Sequence, residues 1–134
     1  MAGETDLSKL LSDMLPVLDP EIYVFATTKD PQSFAHLPAI MRFRESEGET
    51  LILTAQDAAS LNLQKSEPYA RITLSVHSAL DAVGFLAAVC SALADQGIST
   101  NAVAGYYHDH IFVPEPRAHD AMVILQDLSA ATKR

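Results

Sequence analysis

Three groups of side chains in the sequence could carry chemistry. The first is the run His108-Asp109-His110, in which two imidazoles flank a carboxylate. Imidazole and carboxylate groups are common ligands of divalent metals, so the run permits a metal-dependent enzyme. Residues two apart converge on one ion only where the backbone is extended, however, and no further ligand stands at a metal-site spacing. We therefore expect no bound metal and a turn stabilised by Asp109, with the metal-dependent enzyme kept as an alternative.

The second group is the single cysteine, Cys90. It stands among apolar residues on a predicted helix, where a free thiol behaves as a small hydrophobic side chain. A nucleophilic cysteine needs exposure and a lowered pKa, so we expect Cys90 to belong to the core. The sequence also lacks a nucleophile elbow, a phosphate-binding loop, a dinucleotide fingerprint and a paired-carboxylate arrangement. It therefore nominates no catalytic residue and no cofactor.

The third group consists of His77, Ser78 and Asn101. His77 and Ser78 end a predicted strand and begin a predicted helix, where free backbone amides and the positive end of the helix dipole favour a carboxylate. Asn101 lies early on the strand that follows this helix, which we expect to run beside the first strand. Its amide offers a donor and an acceptor to a zwitterion. The plainer alternative is that Ser78 only caps its helix and Asn101 only satisfies a local backbone group.

These side chains fall at the joints of one stretch, Arg71 to Pro114. Apolar and polar residues alternate from Ile72 to Val76, which predicts a half-buried strand. The spacing Ser78-x-x-Asp81 before an apolar run predicts a helix that begins within one residue of Ser78, and Gly97 is placed to end it. Two strands of a hairpin follow, Ile98 to Tyr106 and His110 to Val113, joined through Tyr107-His108-Asp109.

A second helix is predicted from Arg117 by apolar residues at helical spacing. The order strand, helix, strand, strand, helix is most of a ferredoxin-like βαββαβ unit, an α+β fold with an antiparallel sheet and helices on one face. The final strand is missing, because only a short polar tail follows Leu128. Another segment must cover that edge of the sheet, or the edge stays open.

The N-terminal half carries weaker signals of the same kind. Apolar residues at helical spacing predict a helix that ends near Pro16, and Ile22 to Thr28 reads as a strand. A hairpin is predicted around Ser46-Glu47-Gly48, and Thr54-x-x-Asp57 opens a short helix. Because LILTAQDAASL is similar to LSVHSALDAVGFL, we interpret residues 1–66 as a degenerate copy of residues 67–134. The first unit could lend the second its missing strand.

Composition limits the function classes. The chain has 134 residues, 49% of them hydrophobic, which suits one domain or two very small ones. The formal net charge of -8, with no cluster of lysine or arginine, argues against nucleic acid as a partner. The N-terminus is acidic where a signal peptide needs basic residues, and no apolar run is long enough to span a membrane. With one cysteine, we expect a cytoplasmic protein without a membrane partner.

The segment from Arg71 to Leu128 resembles the ACT family of small regulatory ligand-binding domains. The phrases that carry the resemblance are LSVHSALDAVG and ALADQGISTNAVAGYYHDHIFVP. The N-terminal half is similar through EGETLIL, so the chain is similar to tandem ACT-like proteins, to the regulatory regions of aspartate kinases and to the cytosolic arginine sensor of animals.

The resemblance implies a non-enzymatic regulatory protein, a homodimer through sheet edges or helices, that binds an amino acid where two units pair. The ligand-binding residues that the resemblance implies are those of the strand-to-helix loop and of the next strand: Val76, His77, Ser78, Ala79, Leu80, Asn101 and Ala102. Two other readings remain open: the metal-dependent enzyme at His108, Asp109 and His110, and a structural assembly module without a small ligand.

Overall fold

The structure is a computed structural model, and it describes residues 3–133. The elements in chain order are α1 Leu7–Asp13, β1 Pro16–Thr28, β2 Met41–Arg44, β3 Glu49–Thr54, α2 Ala55–Ala58, β4 Gln64–Lys65, β5 Tyr69–Leu74, α3 Phe85–Ala94, β6 Asn101–Ala104, β7 Asp109–Pro114, a 3-10 turn Glu115–Arg117 and α4 Ala118–Lys133. They form two compact units. Unit 1 contains the residues up to Asp19 and those from Ala70 onward, and unit 2 is Pro20–Tyr69.

In unit 1 the strand order is the first part of β1, then β5, β7 and β6. Residues 16–19 of β1 therefore occupy the position of the strand that the C-terminal half lacks. The Leu15 carbonyl accepts a hydrogen bond from the Ser75 amide at 3.2 Å, and Asp19 pairs with the guanidinium of Arg71. Beyond Leu128, the polar tail of the chain belongs to α4 rather than to a strand.

The core of unit 1 lies between its strands and α1, α3 and α4. Ile72 and Leu74 of β5 and Ile111 of β7 are fully buried in it, as the alternating pattern predicts. Helix α4 contributes Ala121 and Leu125. The Ser129 hydroxyl of α4 donates to the Ser12 carbonyl of α1 at 2.9 Å, so polar as well as apolar contacts join these two helices.

Unit 2 has the same strand order in miniature: β4, β1, β3, β2. Its hairpin is where the sequence predicts it, with Arg44 opposite Glu49 at the last pair before the turn. The Thr54 hydroxyl accepts from the Asp57 amide at 3.1 Å and caps α2 as predicted, although α2 is only four residues long. In chain order, unit 2 is a complete βαββαβ unit whose first helix has been reduced to the turns of residues 31–37.

The ferredoxin-like prediction is confirmed, but three local predictions are wrong. No helix begins at Ser78, since α3 starts at Phe85. Asn101 does not lie on a strand beside β5, because β7 stands between β5 and β6. The similarity of LILTAQDAASL to LSVHSALDAVGFL does not align corresponding elements. The first phrase covers part of the third strand and the second helix of unit 2, whereas the second phrase runs from the last residue of the first strand of unit 1 through the loop to the start of α3.

The compact units do not divide the chain where the proposed repeat does. The compact units meet inside β1, after Asp19, and again after Tyr69. The repeat boundary between residues 66 and 67 concerns internal duplication and stays a prediction. Among the helices between residues 3 and 133, none combines the length and apolar character that a membrane crossing needs.

Candidate ligand-binding site

A small cavity lies beside the loop that joins β5 to α3. Its volume is about 130 Å³. The lining comes from the loop, from the first turn of α3 and from the β6–β7 hairpin: Ser78, Ala79, Leu80, Ala82, Gly84, Phe85, Leu86, Ala87, Ala104 and Asp109. All these residues belong to unit 1, so the cavity is formed within one unit.

Ser78 and Asp109 form one polar wall of the cavity. The Ser78 hydroxyl donates to Oδ2 of Asp109 at 2.8 Å, and both residues are buried. A buried carboxylate is stable only with hydrogen-bonding partners, and Ser78 is one of them. Ser78 thus anchors the loop to the first residue of β7 instead of capping a helix.

The first turn of α3 forms another part of the lining. Gly84 is its N-cap residue, with φ of 90° in the left-handed region, and no side chain caps the helix. The first amides of a helix have no acceptor within the helix and carry the positive end of its dipole. Phe85, Leu86 and Ala87 line the cavity, so this uncapped helix end lies beside it.

The N-terminal segment holds the loop in place. The Glu4 amide donates to the His77 carbonyl at 2.8 Å, and the Ala79 amide donates to the Glu4 carbonyl at 2.9 Å. A side chain at Gly3 would have its Cβ 2.6 Å from the Ala79 nitrogen, which is closer than atoms can pack. Only glycine fits there.

The histidines of the His108-Asp109-His110 run have separate partners. Nδ1 of His108 lies 3.3 Å from the Val76 carbonyl, and Nδ1 of His110 lies 2.9 Å from the Thr73 hydroxyl. Within the described part of the chain, no group of three histidine, cysteine or acidic side chains is placed to hold a metal ion. The geometry therefore gives the metal-dependent enzyme no support.

Two groups near the cavity have shifted pKa values. Burial, and then the positive charge of Arg71, lowers the pKa of His110, which favours its neutral form. Burial, and then the negative charge of Asp109, raises the pKa of the Cys90 thiol. Cys90 is partly rather than fully buried, contrary to the core prediction, but its protonated thiol is a poor nucleophile.

The structure brings together only part of the predicted site. Ser78, Ala79 and Leu80 line the cavity, while the carbonyls of Val76 and His77 are used in holding the loop. Asn101 and Ala102 do not line it. Asn101 stands three residues along β6 from Ala104, about 10 Å away for an extended strand.

The sequence reasoning missed the contribution of Gly84 and the first turn of α3. Gly84 falls inside the helix that the Ser78 spacing predicts, although glycine in a helix interior is unfavourable by about 1 kcal/mol relative to alanine. This unfavourable position is the available signal, because glycine is expected where a chain needs positive φ. The sequence predicts that Asp109 stabilises the turn, whereas in the structure its buried carboxylate accepts a hydrogen bond from Ser78.

Comparison with known proteins identifies the class of protein. One ACT domain family model matches residues 2–70, and a second ACT domain model matches residues 67–127. The chain belongs to the ACT domain family, with two domains in tandem. The comparison with curated proteins finds no match.

Solved structures extend this result. A protein of unknown function from Vibrio cholerae, described as a possible transport protein, is 44% identical with a TM-score of 0.83, covering 92% of this chain and 95% of that chain. A protein from Agrobacterium tumefaciens has a TM-score of 0.68 at 16% identity, covering 81% and 84%. The ligand-free regulatory subunit of aspartate kinase from Thermus thermophilus has a TM-score of 0.60 at 11% identity, covering 87% and 98%. The last two show likeness of fold alone.

Proposed function

We propose that this protein is a regulatory ACT protein that binds a small amino acid in the cavity beside Ser78 and performs no catalysis. One observation carries the proposal: the uncapped N-terminus of α3 and the buried carboxylate of Asp109 line the same cavity. An amino acid carries one group for each wall. Its carboxylate suits the free amides of α3, and its ammonium suits Asp109.

The proposed site keeps part of the set implied by the family resemblance. Ser78, Ala79 and Leu80 contact the ligand, and Val76 and His77 position the loop. The helix start at Gly84 takes the role of binding the ligand carboxylate, which the sequence analysis gives to the backbone at Ser78. Asp109 takes the role of binding the ammonium group, which it gives to Asn101. Asn101 and Ala102 are left outside the ligand site.

The cavity volume restricts the ligand. At about 130 Å³ it equals roughly four water molecules at their share of liquid volume, about 30 Å³ each. An amino acid with a very short side chain is therefore favoured over an aromatic or long basic one. Most of the lining other than Ser78 and Asp109 is apolar or glycine, which leaves few further groups to recognise a polar side chain.

Regulation would act through a shift of populations. A ligand that holds the 75–84 loop against β7 stabilises the arrangement in which Ser78 meets Asp109, and a partner protein that distinguishes the two arrangements would respond. The fold shared with the regulatory subunit of aspartate kinase supports a regulatory role.

We also propose a homodimer and a cytoplasmic location. Strand β6 ends the strand order of unit 1, and Asn101, Ala102 and Ala104 on it are exposed and uncharged. Such an edge is suited to pairing with a second copy. The single cysteine suits a reducing compartment.

Calorimetric titration with each common amino acid tests the proposal. We expect binding of one or more small amino acids, and a loss of at least about tenfold in affinity for Asp109→Asn, since a charge-assisted hydrogen bond is worth about 1.5 to 3 kcal/mol. The matched control is Asp127→Asn, which removes an exposed carboxylate on α4. Asn101→Ala should also bind normally.

A second variant guards against misfolding of Asp109→Asn. Ala87 is exposed in the first turn of α3, where an acidic residue favours the helix. Ala87→Glu should fold and place its own carboxylate at the helix end, thereby excluding the ligand. If no amino acid binds the unchanged protein, the structural assembly module replaces this proposal. If Ala87→Glu and Asp109→Asn both bind the amino acid as tightly as the unchanged protein does, the site is rejected.

A further inference from the structure

Two aromatic side chains are exposed at the tip of the β6–β7 hairpin. The Gly105 amide donates to the His108 carbonyl at 2.9 Å, which leaves Tyr106 and Tyr107 as the two residues of the tip. Tyr106 is 60% exposed and Tyr107 is 63% exposed. The centroids of their rings lie 5.1 Å apart in an edge-to-face arrangement. Because rings in this arrangement attract each other, the two tyrosines form one aromatic surface.

The loop between β5 and α3 extends this surface. The centroid of the His77 ring lies 5.4 Å from that of Tyr107 and 6.5 Å from that of Tyr106. Further along the loop, Leu80 is 69% exposed and lines the cavity beside the same hairpin. We call His77, Leu80, Tyr106 and Tyr107 the aromatic patch. All four residues belong to unit 1.

Contacts within unit 1 hold the patch in place. The Ser78 hydroxyl donates to Asp109 at 2.8 Å, and Nδ1 of His108 lies 3.3 Å from the Val76 carbonyl. Val76 and Ser78 are the neighbours of His77 in the chain, so both contacts fasten the loop to the hairpin beside the aromatic rings. A surface that is already ordered loses little conformational entropy when a partner binds.

The charge around the patch indicates the kind of partner. From residue 72 to residue 116 the chain contains no lysine or arginine, whereas four of these residues are acidic. One of them, Asp81, directly follows Leu80, is exposed, and takes part in none of the ion pairs found between residues 3 and 133. In a protein of net charge -8, this stretch therefore attracts a positively charged partner.

Tyrosine rings add a preference for arginine. A cation is attracted to the face of a tyrosine ring, and a guanidinium group stacks on such a face and is more weakly hydrated than an ammonium group. Tyrosine and arginine also account for much of the binding energy at protein interfaces. A second copy of the chain suits the patch less well, because patch against patch would bring two acidic stretches together.

We propose that the aromatic patch is a docking surface for an arginine-bearing segment of a partner protein. The guanidinium group stacks on Tyr106 and Tyr107, Asp81 supplies the compensating negative charge, and Leu80 contacts the apolar part of the segment. Docking does not depend on an amino acid in the cavity beside Ser78, since neither tyrosine nor Asp81 is among the residues that line it.

A synthetic peptide of alternating arginine and glycine, with both ends blocked, is the probe. It is titrated into the full chain at an ionic strength of about 0.15 M, and binding is followed by amide nuclear magnetic resonance. We expect saturable shifts at residues 76–83 and 104–109. The same peptide with lysine in place of arginine should bind about threefold more weakly or worse. A peptide with citrulline, which has a similar shape but no charge, should bind more weakly still.

Variants of the patch assign the contacts. Tyr106→Leu and Tyr107→Leu keep an apolar side chain but remove the aromatic face, and both positions are exposed, so the core is unaffected. Each should weaken binding by about two- to fivefold, as expected for a cation–π contact at an exposed site. Asp81→Asn should weaken it by about twofold or more. The matched control is Phe43→Leu, since Phe43 is also 63% exposed but stands between two arginines on β2 of unit 2.

Four results would overturn the proposal. Equal affinity for the arginine and lysine peptides would indicate attraction by charge alone, as would shifts spread over the acidic residues of α4. Unchanged affinity in both tyrosine variants would remove the patch from the binding surface. A dimer of the unchanged protein that dissociates in Tyr107→Leu, measured by sedimentation, would assign the patch to a second copy of the chain instead.

Discussion

At the scale of single residues, the pair of Ser78 and Asp109 defines the candidate site. A serine hydroxyl that accepts a hydrogen bond from a backbone amide in the first turn caps a helix. A hydroxyl that donates a hydrogen bond to a buried carboxylate joins two segments of the chain. Ser78 does the second, at 2.8 Å from Asp109. Helix α3 begins after Gly84, which has no side chain to cap it, and the proposed function assigns its first amides to the carboxylate of the ligand.

Gly84 gives the first prediction at this scale. At φ of 90°, any residue with a Cβ is strained by about 1 to 2 kcal/mol. Gly84→Ala should therefore lower the free energy of unfolding by about that amount, measured by chemical denaturation. Gly84→Asn should lose less, because asparagine tolerates the left-handed region better than alanine. An alanine variant as stable as the unchanged protein would show that this conformation is not held.

The lowered pKa of His110 gives the second prediction at the scale of single residues. Below the ordinary value of 6.5, the unfolded chain takes up a proton at this position more readily than the folded chain does. The free energy of unfolding should therefore fall as the pH drops from about 7 to the lower folded pKa.

The check is a series of denaturation curves between pH 5 and pH 8 for the unchanged protein and for His110→Asn. The asparagine variant keeps a polar atom near Thr73 but cannot take up the proton. Its stability should vary less over this pH range. Identical pH dependence in the two proteins would contradict the assignment to His110.

At the scale of elements, the N-terminal segment supports the loop between β5 and α3. Two backbone hydrogen bonds join Glu4 to His77 and Ala79, and Gly3 packs directly on the loop. These contacts are local in space but distant in sequence. The loop should thus be held less firmly than the strands beside it when the segment is displaced.

Gly3→Ala tests this support. The added Cβ would meet backbone atoms at 2.6 Å, so the segment must move away from the loop. We expect the Ala79 amide to exchange its hydrogen about fivefold faster, as for loss of a bond worth about 1 kcal/mol, while the amides of β7 keep their protection. Glu4→Gln retains the backbone contacts and is the control. Unchanged exchange at Ala79 in the glycine variant would contradict the role of the segment.

At the scale of the whole molecule, two units repeat one strand order, and each has a cavity at the corresponding place. The two cavities differ in volume and in the charge of their linings. The cavity of unit 1 is small with a buried acid, and the cleft of unit 2 is large with a charged rim. The same strand order therefore carries two cavities that differ in size and in the charge of their linings.

The proposed dimer is tested by its edge strand. Sedimentation should give twice the 14.5 kDa of one chain for the unchanged protein. Ala102→Lys places a charge on β6 and should give the monomer, since lysine on an edge opposes strand pairing. Phe43→Lys is the control on β2, which already carries Arg42 and Arg44. A monomeric unchanged protein, or a dimer that persists in Ala102→Lys, would contradict the β6 interface.

The amino-acid sequence determined the fold class and most of the elements. The alternation from Ile72 to Leu74, the stop at Gly97 and the cap at Thr54 depend on neighbours within a few residues, so local patterns predict them. Helix α3 ends with two capping hydrogen bonds: the Gly97 amide donates to the Ala94 carbonyl, and the Ile98 amide donates to the Leu93 carbonyl. The family resemblance followed from the same stretch and is confirmed.

Tertiary structure alone decided where the candidate site lies. Whether Ser78 caps a helix or binds Asp109 depends on a residue 31 positions away. The position of Asn101 depends on strand order, which local patterns do not specify because pairing is a long-range choice. The strand beside β5 comes from residues 16–19, and this short segment gives no strand signal because it begins at Pro16 and is followed by Pro20. Contacts between distant segments thus set the site, while contacts between near ones set the elements that carry it.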